Sequence, residues 1–305
     1  MARSCRSAKI EIPTQIMSLK RLSMTLDMIK FEHSVFALPF ALTGAMLAFR
    51  QTGNFSARGW VILIWIVVAM VGARSAAMAF NRLVDAEIDA KNPRTNTRHI
   101  PAGQLSRSFG WAFTVASSLI FLFAAWQLNP LCLKLAPAAL GVVFFYSYTK
   151  RFTSFAHLVL GFALGIAPAA AWIAVSGTLD PRILWLTAAV MFWTAGFDVI
   201  YSCQDFDYDT AAGLFSIPSA FGIVRALHIA KLLHVLMILS LLMLASQLHL
   251  GLLSLAGIGA VAALLLYEHG IVKPNDLSRV NAAFFTMNGW VSVLFFVFWA
   301  ADVLL

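Results

Sequence analysis

Charged side chains are scarce in this chain: Asp, Glu, Lys and Arg together make up 12% of 305 residues, about half the share of an ordinary soluble domain. Too few polar groups remain to cover the surface of a freely soluble globule, so a water-exposed exterior is excluded. Cysteine is nearly absent. Cys5, Cys132 and Cys203 are widely spaced, which excludes a disulfide framework or a thiolate metal cluster and leaves them reduced and structural. The seven histidines show no paired spacing that would hold haem or zinc between helices. His228 and His234, six apart, face different directions. Linker-like or low-complexity tracts are missing as well, so the chain reads as one unit rather than several domains.

What is present is apolar: 60% of the residues are hydrophobic. Nine runs are long enough to cross a hydrocarbon layer at the helical rise, predicted at Ser34–Phe49, Trp60–Phe80, Phe109–Leu128, Leu131–Thr149, Phe155–Val175, Ile183–Cys203, Ala226–Leu244, Leu250–Tyr267 and Ala282–Leu304. They are continuously apolar, without the period-two alternation of barrel strands. The expectation is an all-α polytopic membrane protein. Residues 28–305 form one transmembrane domain. Met1–Asp27 is basic and has no continuous apolar stretch, so it reads as a disordered or interfacial leader and not a secretory signal. Lys30, Glu32 and His33 read as interfacial anchors, with a place in the mouth of a site as the alternative.

Lys and Arg collect on one side of the predicted spans. With the N-terminus inside, that side carries Arg82, Lys91, Arg94, Arg98, Arg107, Lys150, Arg151, Arg225, Lys231, Lys273 and Arg279 as well as the basic leader, and the other side only Arg50, Arg58, Lys134 and Arg182. The basic side is therefore predicted to be cytoplasmic, in a bacterial inner or plasma membrane. The net charge of +8 needs no nucleic acid, because basic loops against an anionic leaflet account for it.

The acidic residues carry the information. Seven of 14 fall into two clusters, Asp85, Glu87 and Asp89, then Asp198, Asp205, Asp207 and Asp209. Each lies where an apolar span reaches the cytoplasmic side. Residues four apart drift by about 40° around a helix, so Asn81, Asp85 and Asp89 form one stripe. Asp198 and Asp205 are about 20° from alignment, and Asp209 extends their stripe if the helix persists. Glu87 and Asp207 are out of phase and point elsewhere. A hydrophilic helix end at the interface is the plainer account of one such cluster; two on one side point to a shared cation. Oxygen-only donors suit Mg²⁺, which bridges carboxylates to substrate phosphates, so Asn81, Asp85, Asp89, Asp205 and Asp209 are the expected metal ligands.

Arg74 is a charge inside a span, which is costly and usually functional. It precedes Asn81 by seven residues, so it shares that face and sits roughly 10 Å deeper. A guanidinium there suits a carboxylate or diphosphate, or neutralises Asp85 or Asp198. Tyr146 and Lys150, four apart at the end of the fourth span, share a face and address phosphate oxygens or, for Lys150, snorkel to the interface.

These residues match a known pattern. The run from Asn81 through Asp85 to Asp89 resembles the NxxxDxxxD motif of the UbiA superfamily of intramembrane prenyltransferases, and Asp198–Asp209 with Gly213 resembles its second aspartate motif. Tyr146 and Lys150 look like its YxxxK element. The loop from Asn92 through Arg98 to Gly103 and the opening from Met28 to Pro39 are similar to the 4-hydroxybenzoate polyprenyltransferase branch, including a menaquinone-pathway subgroup.

The resemblance implies nine helices around a central cavity with cytoplasmic cap loops, and two Mg²⁺ ions bridging the motifs to a polyprenyl diphosphate. It further implies that Lys150 and Arg98 or Arg82 stabilise the departing pyrophosphate, and that Asp85 and Asp205 are essential to turnover. Asp198 orients the acceptor phenol or takes the ring proton, and Arg74 holds a benzoate carboxylate. The implied partners are a polyprenyl diphosphate, an aromatic acid and membrane lipid, in ubiquinone or menaquinone biosynthesis. Competing readings are a naphthoate, haem or chlorophyll-type member of the superfamily, and a secondary transporter. The transporter reading expects inverted repeats and broken helices at the midplane, whereas these acids sit at helix ends.

Overall fold

The computed structural model describes residues 23–30, 34–53 and 57–305. The leader up to residue 22, with Cys5, and the anchors Glu32 and His33 lie outside the described residues. Residues 23–28, assigned to or beside that leader, form a helical turn, and Met28 and Ile29 are buried against Leu83, Ala86, Ile100 and Leu105.

Among the described residues all regular secondary structure is helical, apart from one isolated bridge between Lys273 and Asp276. The long helices are α1 (Ser34–Thr52), α2 (Ala57–Val84), α4 (Arg107–Leu128), α5 (Pro130–Thr149), α6 (Ala156–Ser176), α7 (Leu184–Ser202), α10 (Ile223–Gln247) and α11 (Leu252–Ile271), with α12 (Val280–Leu304) closing the chain. Short helices α3 (Ala86–Lys91), α8 (Phe206–Ala212) and α9 (Ile217–Phe221) lie between them on one side. Among the described residues, eight of these helices are long and apolar enough to cross a membrane, and α1 packs beside them as a further long helix. Each predicted span falls on one of the nine. Helices α2 and α10 run three or four residues past both predicted ends, because hydropathy marks only the apolar middle while hydrogen bonding continues into the polar turns; α7 falls one residue short at each end.

Packing is sequential for the most part: α2 lies on α4, α4 on α5, α5 on α6, α6 on α7, α7 on α10, α10 on α11, and α11 on α12. The ring is closed by α1, which touches both α12 and α6. Helix ends are fixed locally. Ser106 caps α4 by accepting from the Phe109 amide at 3.1 Å, and Asn129 caps α5 by accepting from Cys132 at 2.9 Å while donating to the Ile173 carbonyl at 2.9 Å. Gly161 and Gly165 let α6 lie directly on α7: a Cβ at either would meet the Met191 or Thr187 carbonyl oxygen at 2.2 or 2.6 Å. Such small-residue stripes are how membrane helices approach closely.

The bundle has a solid side and a hollow side. Phe40, Trp193, Phe295 and Trp299 stack into the largest buried cluster, between α1, α7 and α12. Across α7, a cavity of about 950 Å³ opens between α2, α4, α5, α6 and α7. The share of buried residues is 67% for the span containing α7 and 17% for α5, which makes α7 the wall between the two sides.

The sequence reading finds no paired histidines, but His234 and His269 meet at 3.0 Å between α10 and α11. Spacing along one helix does not reveal partners on two. Cys132 and Cys203 are free thiols.

Candidate active site

The mouth of the cavity is built at one end of the bundle, where α2, α5 and α7 finish. Asp85 sits at the junction of α2 and α3, yet its amide still bonds the Asn81 carbonyl at 2.9 Å and its carbonyl takes the Asp89 amide at 2.8 Å. Helical pitch is carried across the junction, so Asn81, Asp85 and Asp89 remain stacked on one side. Asn81 donates to Asp85 at 3.1 Å. Asp85 also takes Lys150 Nζ at 2.7 Å and Arg151 at 3.0 Å, and Asp89 takes Arg98 at 2.7 Å on both oxygens. Asp85 and Asp89 are almost fully buried, and pairing of this kind offsets the cost of taking a carboxylate out of water.

The second cluster departs from the predicted single stripe. After Ser202, α7 tightens into a 3₁₀ turn over Cys203–Asp205 and restarts as α8. The change of pitch separates Asp198 from Asp205. Asp198 turns to His157, 2.7 Å away. Asp205 instead meets the cap loop: Arg94 grips both its oxygens, one at 2.8 Å, and Asn92 donates at 3.1 Å. Asp209 is on α8, near the charges of Asp205 and Lys150. Burial works against the Arg94 charge, but the hydrogen bonds and charges of Asp205 and Tyr201 outweigh it and hold the guanidinium above its ordinary value.

The two acidic motifs are in contact. Tyr208 of α8 donates to the Ile88 carbonyl of α3 at 2.9 Å, and Asn92, directly after α3, reaches Asp205. Lys150 lies at the junction, its carbonyl taking the Phe215 amide at 2.8 Å. Among the described residues, no three acidic, His or Cys side chains form a ready metal cage; the carboxylates Asp85, Asp89 and Asp205 are held by the chain's own cations. Mg²⁺ takes only one or two protein carboxylates and completes its shell with water and phosphate. The donors fit that requirement. All are oxygens, they stand on both sides of one mouth, and the cations now holding them are the groups a diphosphate would draw away.

Below the mouth, Arg82, Arg98, Asn81, Tyr146 and Asp198 line the cavity. Arg82 is buried and donates to the Met28 carbonyl at 3.3 Å. Tyr146 is near enough to feel Asp198, Asp85, Arg82 and Arg98 together, which puts it at the centre of the predicted set. Deeper still, Arg74 lines the cavity and its Nε has no hydrogen-bond partner. Asp85 and Asp198 are paired elsewhere, so the account in which Arg74 neutralises one of them does not hold. Glu87 and Asp207 are exposed, Glu87 lying 3.3 Å from Arg107.

Sequence reasoning missed several groups. Arg94, Asn92, Arg151 and Tyr201 belong to the mouth; Arg94 and Asn92 stand in the loop directly after the first motif, a signal that was available. Thr187 and Thr194 line the cavity with buried hydroxyls that lack partners. Elsewhere Thr43, Thr114 and Ser240 satisfy theirs on the carbonyl four residues back, so these two are set apart. His157 carried no local signal, since its partner is 41 residues away.

Residues 37–298 match the model of the UbiA prenyltransferase family. The chain belongs to that family. Over 162 residues it is 30% identical to the 4-hydroxybenzoate octaprenyltransferase of Vibrio atlanticus, a match covering 53% of this chain and 57% of that one, so it spans little more than half of that relative. The apo structure of a UbiA homolog from Aeropyrum pernix K1 is 32% identical and superposes with a TM-score of 0.80, over 89% of this chain and 98% of that one. A UbiA homolog from Archaeoglobus fulgidus, bound to GPP and Mg²⁺, shares the fold at 18% identity with a TM-score of 0.65, over 92% of this chain and all of that one. Family membership and the apolar helices together make this UbiA member a multi-pass integral membrane protein.

Proposed function

We propose that this UbiA member transfers a polyprenyl group from its diphosphate to the ring of an aromatic acid, 4-hydroxybenzoate or a related acid, in ubiquinone or menaquinone biosynthesis. The observation that carries the reading is the mouth itself. Two acidic motifs in contact, flanked by Arg82, Arg94, Arg98, Lys150 and Arg151, cap an apolar cavity that holds an unpartnered Arg74. The Vibrio relative is named for this reaction, and the Archaeoglobus structure holds GPP and Mg²⁺.

Asn81, Asp85, Asp89, Asp205 and Asp209 hold Mg²⁺, which supplies positive charge to neutralise the leaving diphosphate. Lys150 and Arg98, with Arg82 beneath them, bind phosphate oxygens and stabilise pyrophosphate as the allylic C–O bond breaks. Tyr146 orients the diphosphate from the same face as Lys150. The apolar walls take the isoprenoid tail and exclude water, which would otherwise capture the allylic cation. Arg74 pairs with the acceptor carboxylate, so the ring is presented to the cation at a fixed depth. A ring carbon bonds to the allylic carbon, and Asp198 orients the phenol and takes the displaced ring proton. The mouth faces the cytoplasm by the Lys and Arg distribution.

The test is to incubate membranes carrying the protein with geranyl diphosphate, Mg²⁺ and a panel of hydroxybenzoates and naphthoates, and to identify products by mass. A prenylated hydroxybenzoate is expected. A product only from naphthoate reassigns the acceptor, and neither product nor released pyrophosphate with any acid overturns the reading.

A further inference from the structure

His157 opens α6, is 4% exposed, and has both ring nitrogens engaged. Nδ1 lies 2.7 Å from Oδ2 of Asp198, and Nε2 lies 3.2 Å from the backbone nitrogen of Ile217. The chemistry of these two neighbours fixes the proton. A backbone N–H can only donate, so Nε2 must present its lone pair, and the single proton of a neutral imidazole is on Nδ1, directed at Asp198. A doubly protonated ring would aim Nε2–H at another N–H inside the protein. Ile217 is the first residue of α9, where an amide has no acceptor within its own helix. The imidazole supplies that acceptor.

From this geometry we infer that His157 is a positioning residue for transfer, holding the Asp198 carboxylate in place for the acceptor ring through a fixed Nδ1–H tautomer. The inference rests on the proposed reaction, in which Asp198 faces the acceptor. One carboxylate oxygen is committed to the imidazole. Asp198 still lines the cavity, with 20% of its side chain accessible, so the other oxygen is left for the ring. His157 neither takes nor gives a proton in the step: the ring proton passes to Asp198, the C–O bond to diphosphate breaks, and the imidazole keeps its own hydrogen throughout. Its other contact is to the segment that follows α8, so the placement of the acceptor group depends on how the second acidic motif is folded back. No spacing rule in the sequence joins residues 157, 198 and 217; the packing of α6 on α7 and the return of α9 beside them do so.

Two measurements test this. In the first, kcat and KM are compared for wild type, His157→Leu, His157→Asn, Asp198→Asn and the double variant His157→Leu with Asp198→Asn. His157→Leu is expected to lower kcat by about 10–100-fold, the usual cost of removing an orienting partner, with KM for the prenyl diphosphate unchanged. His157→Asn, whose amide nitrogen takes the place of Nδ1, restores most of that loss. The double variant is no slower than Asp198→Asn alone, because groups that act as a unit are not additive. A merely structural role would multiply the two losses and show no recovery in His157→Asn; either result, or a wild-type rate in His157→Leu, overturns the inference. In the second, ¹⁵N-histidine NMR of the detergent-solubilised protein, with the His157→Asn spectrum used for assignment, is expected to show the His157 proton on Nδ1. A proton on Nε2 overturns the tautomer whatever the activity. A wild-type protein that transfers nothing would instead defeat the proposed function, which keeps the two failures apart.

Discussion

The solid and hollow sides of this bundle are both built from apolar helices, yet one is a core and the other a chamber. On the solid side the residues facing inward are large: Phe40, Trp193, Phe295 and Trp299 are each 0% exposed. On the hollow side small residues recur among the larger ones. Ala69, Ala73 and Ala77 form an i, i+4 stripe on α2, and Ala138, Ala139 and Ala163 answer it from α5 and α6. Hydropathy cannot separate the two, because alanine and tryptophan both read as membrane residues; side-chain volume does. Polarity differs too. The cations and carboxylates of the mouth sit over the chamber, with Arg74 and the unpartnered Thr187 and Thr194 on its walls. A void lined by polar atoms without partners is costly unless a ligand supplies them.

The comparison is broken most severely at the mouth. Asp85→Ala is expected to lower product formation by at least about 10³-fold, the scale of losing a key electrostatic group, while the melting temperature in detergent barely moves. A matching collapse of stability would mean that the mouth is structural. On the solid side the order reverses. Trp193→Ala removes a fully buried ring that also donates to Asn288 at 2.9 Å, and should cost about 3–5 kcal/mol of stability, read as a lowered melting temperature with KM for both substrates kept in the surviving protein. Arg74→Ala comes next. Loss of one charged hydrogen-bonding partner, about 1.5–3 kcal/mol, should raise KM for the aromatic acid by roughly 10–100-fold and leave KM for the prenyl diphosphate nearly unchanged. Equal changes in both would dismiss a carboxylate clamp. The smallest effect is expected from filling the chamber: Ala139→Phe should shorten the longest donor accepted without lowering the melting temperature, whereas a large destabilisation would show that α5 has no space behind it.

Much of this was legible in the sequence. Length and apolar character located all nine long helices, since both are local properties. The acidic clusters placed the mouth, because charge at a helix end is conspicuous against so little charge elsewhere. What escaped depends on partners far apart in the chain. Arg94 and Asp205 are 111 residues apart and His157 and Asp198 are 41 apart, and no periodicity links them. The 3₁₀ turn at Cys203–Asp205 also escaped, and it undid the predicted alignment of Asp198 with Asp205. Helical phase can be extrapolated only while the pitch holds, and it did hold from Asn81 to Asp89.

The central claim, that both acidic motifs act on one diphosphate through shared divalent ions, is tested most directly by calorimetric titration of geranyl diphosphate into the purified protein at increasing Mg²⁺. In the wild type, affinity should rise with Mg²⁺, and Asp85→Asn and Asp205→Asn should each remove that rise. A Mg²⁺-dependent rise that survives intact in either variant would contradict the shared site.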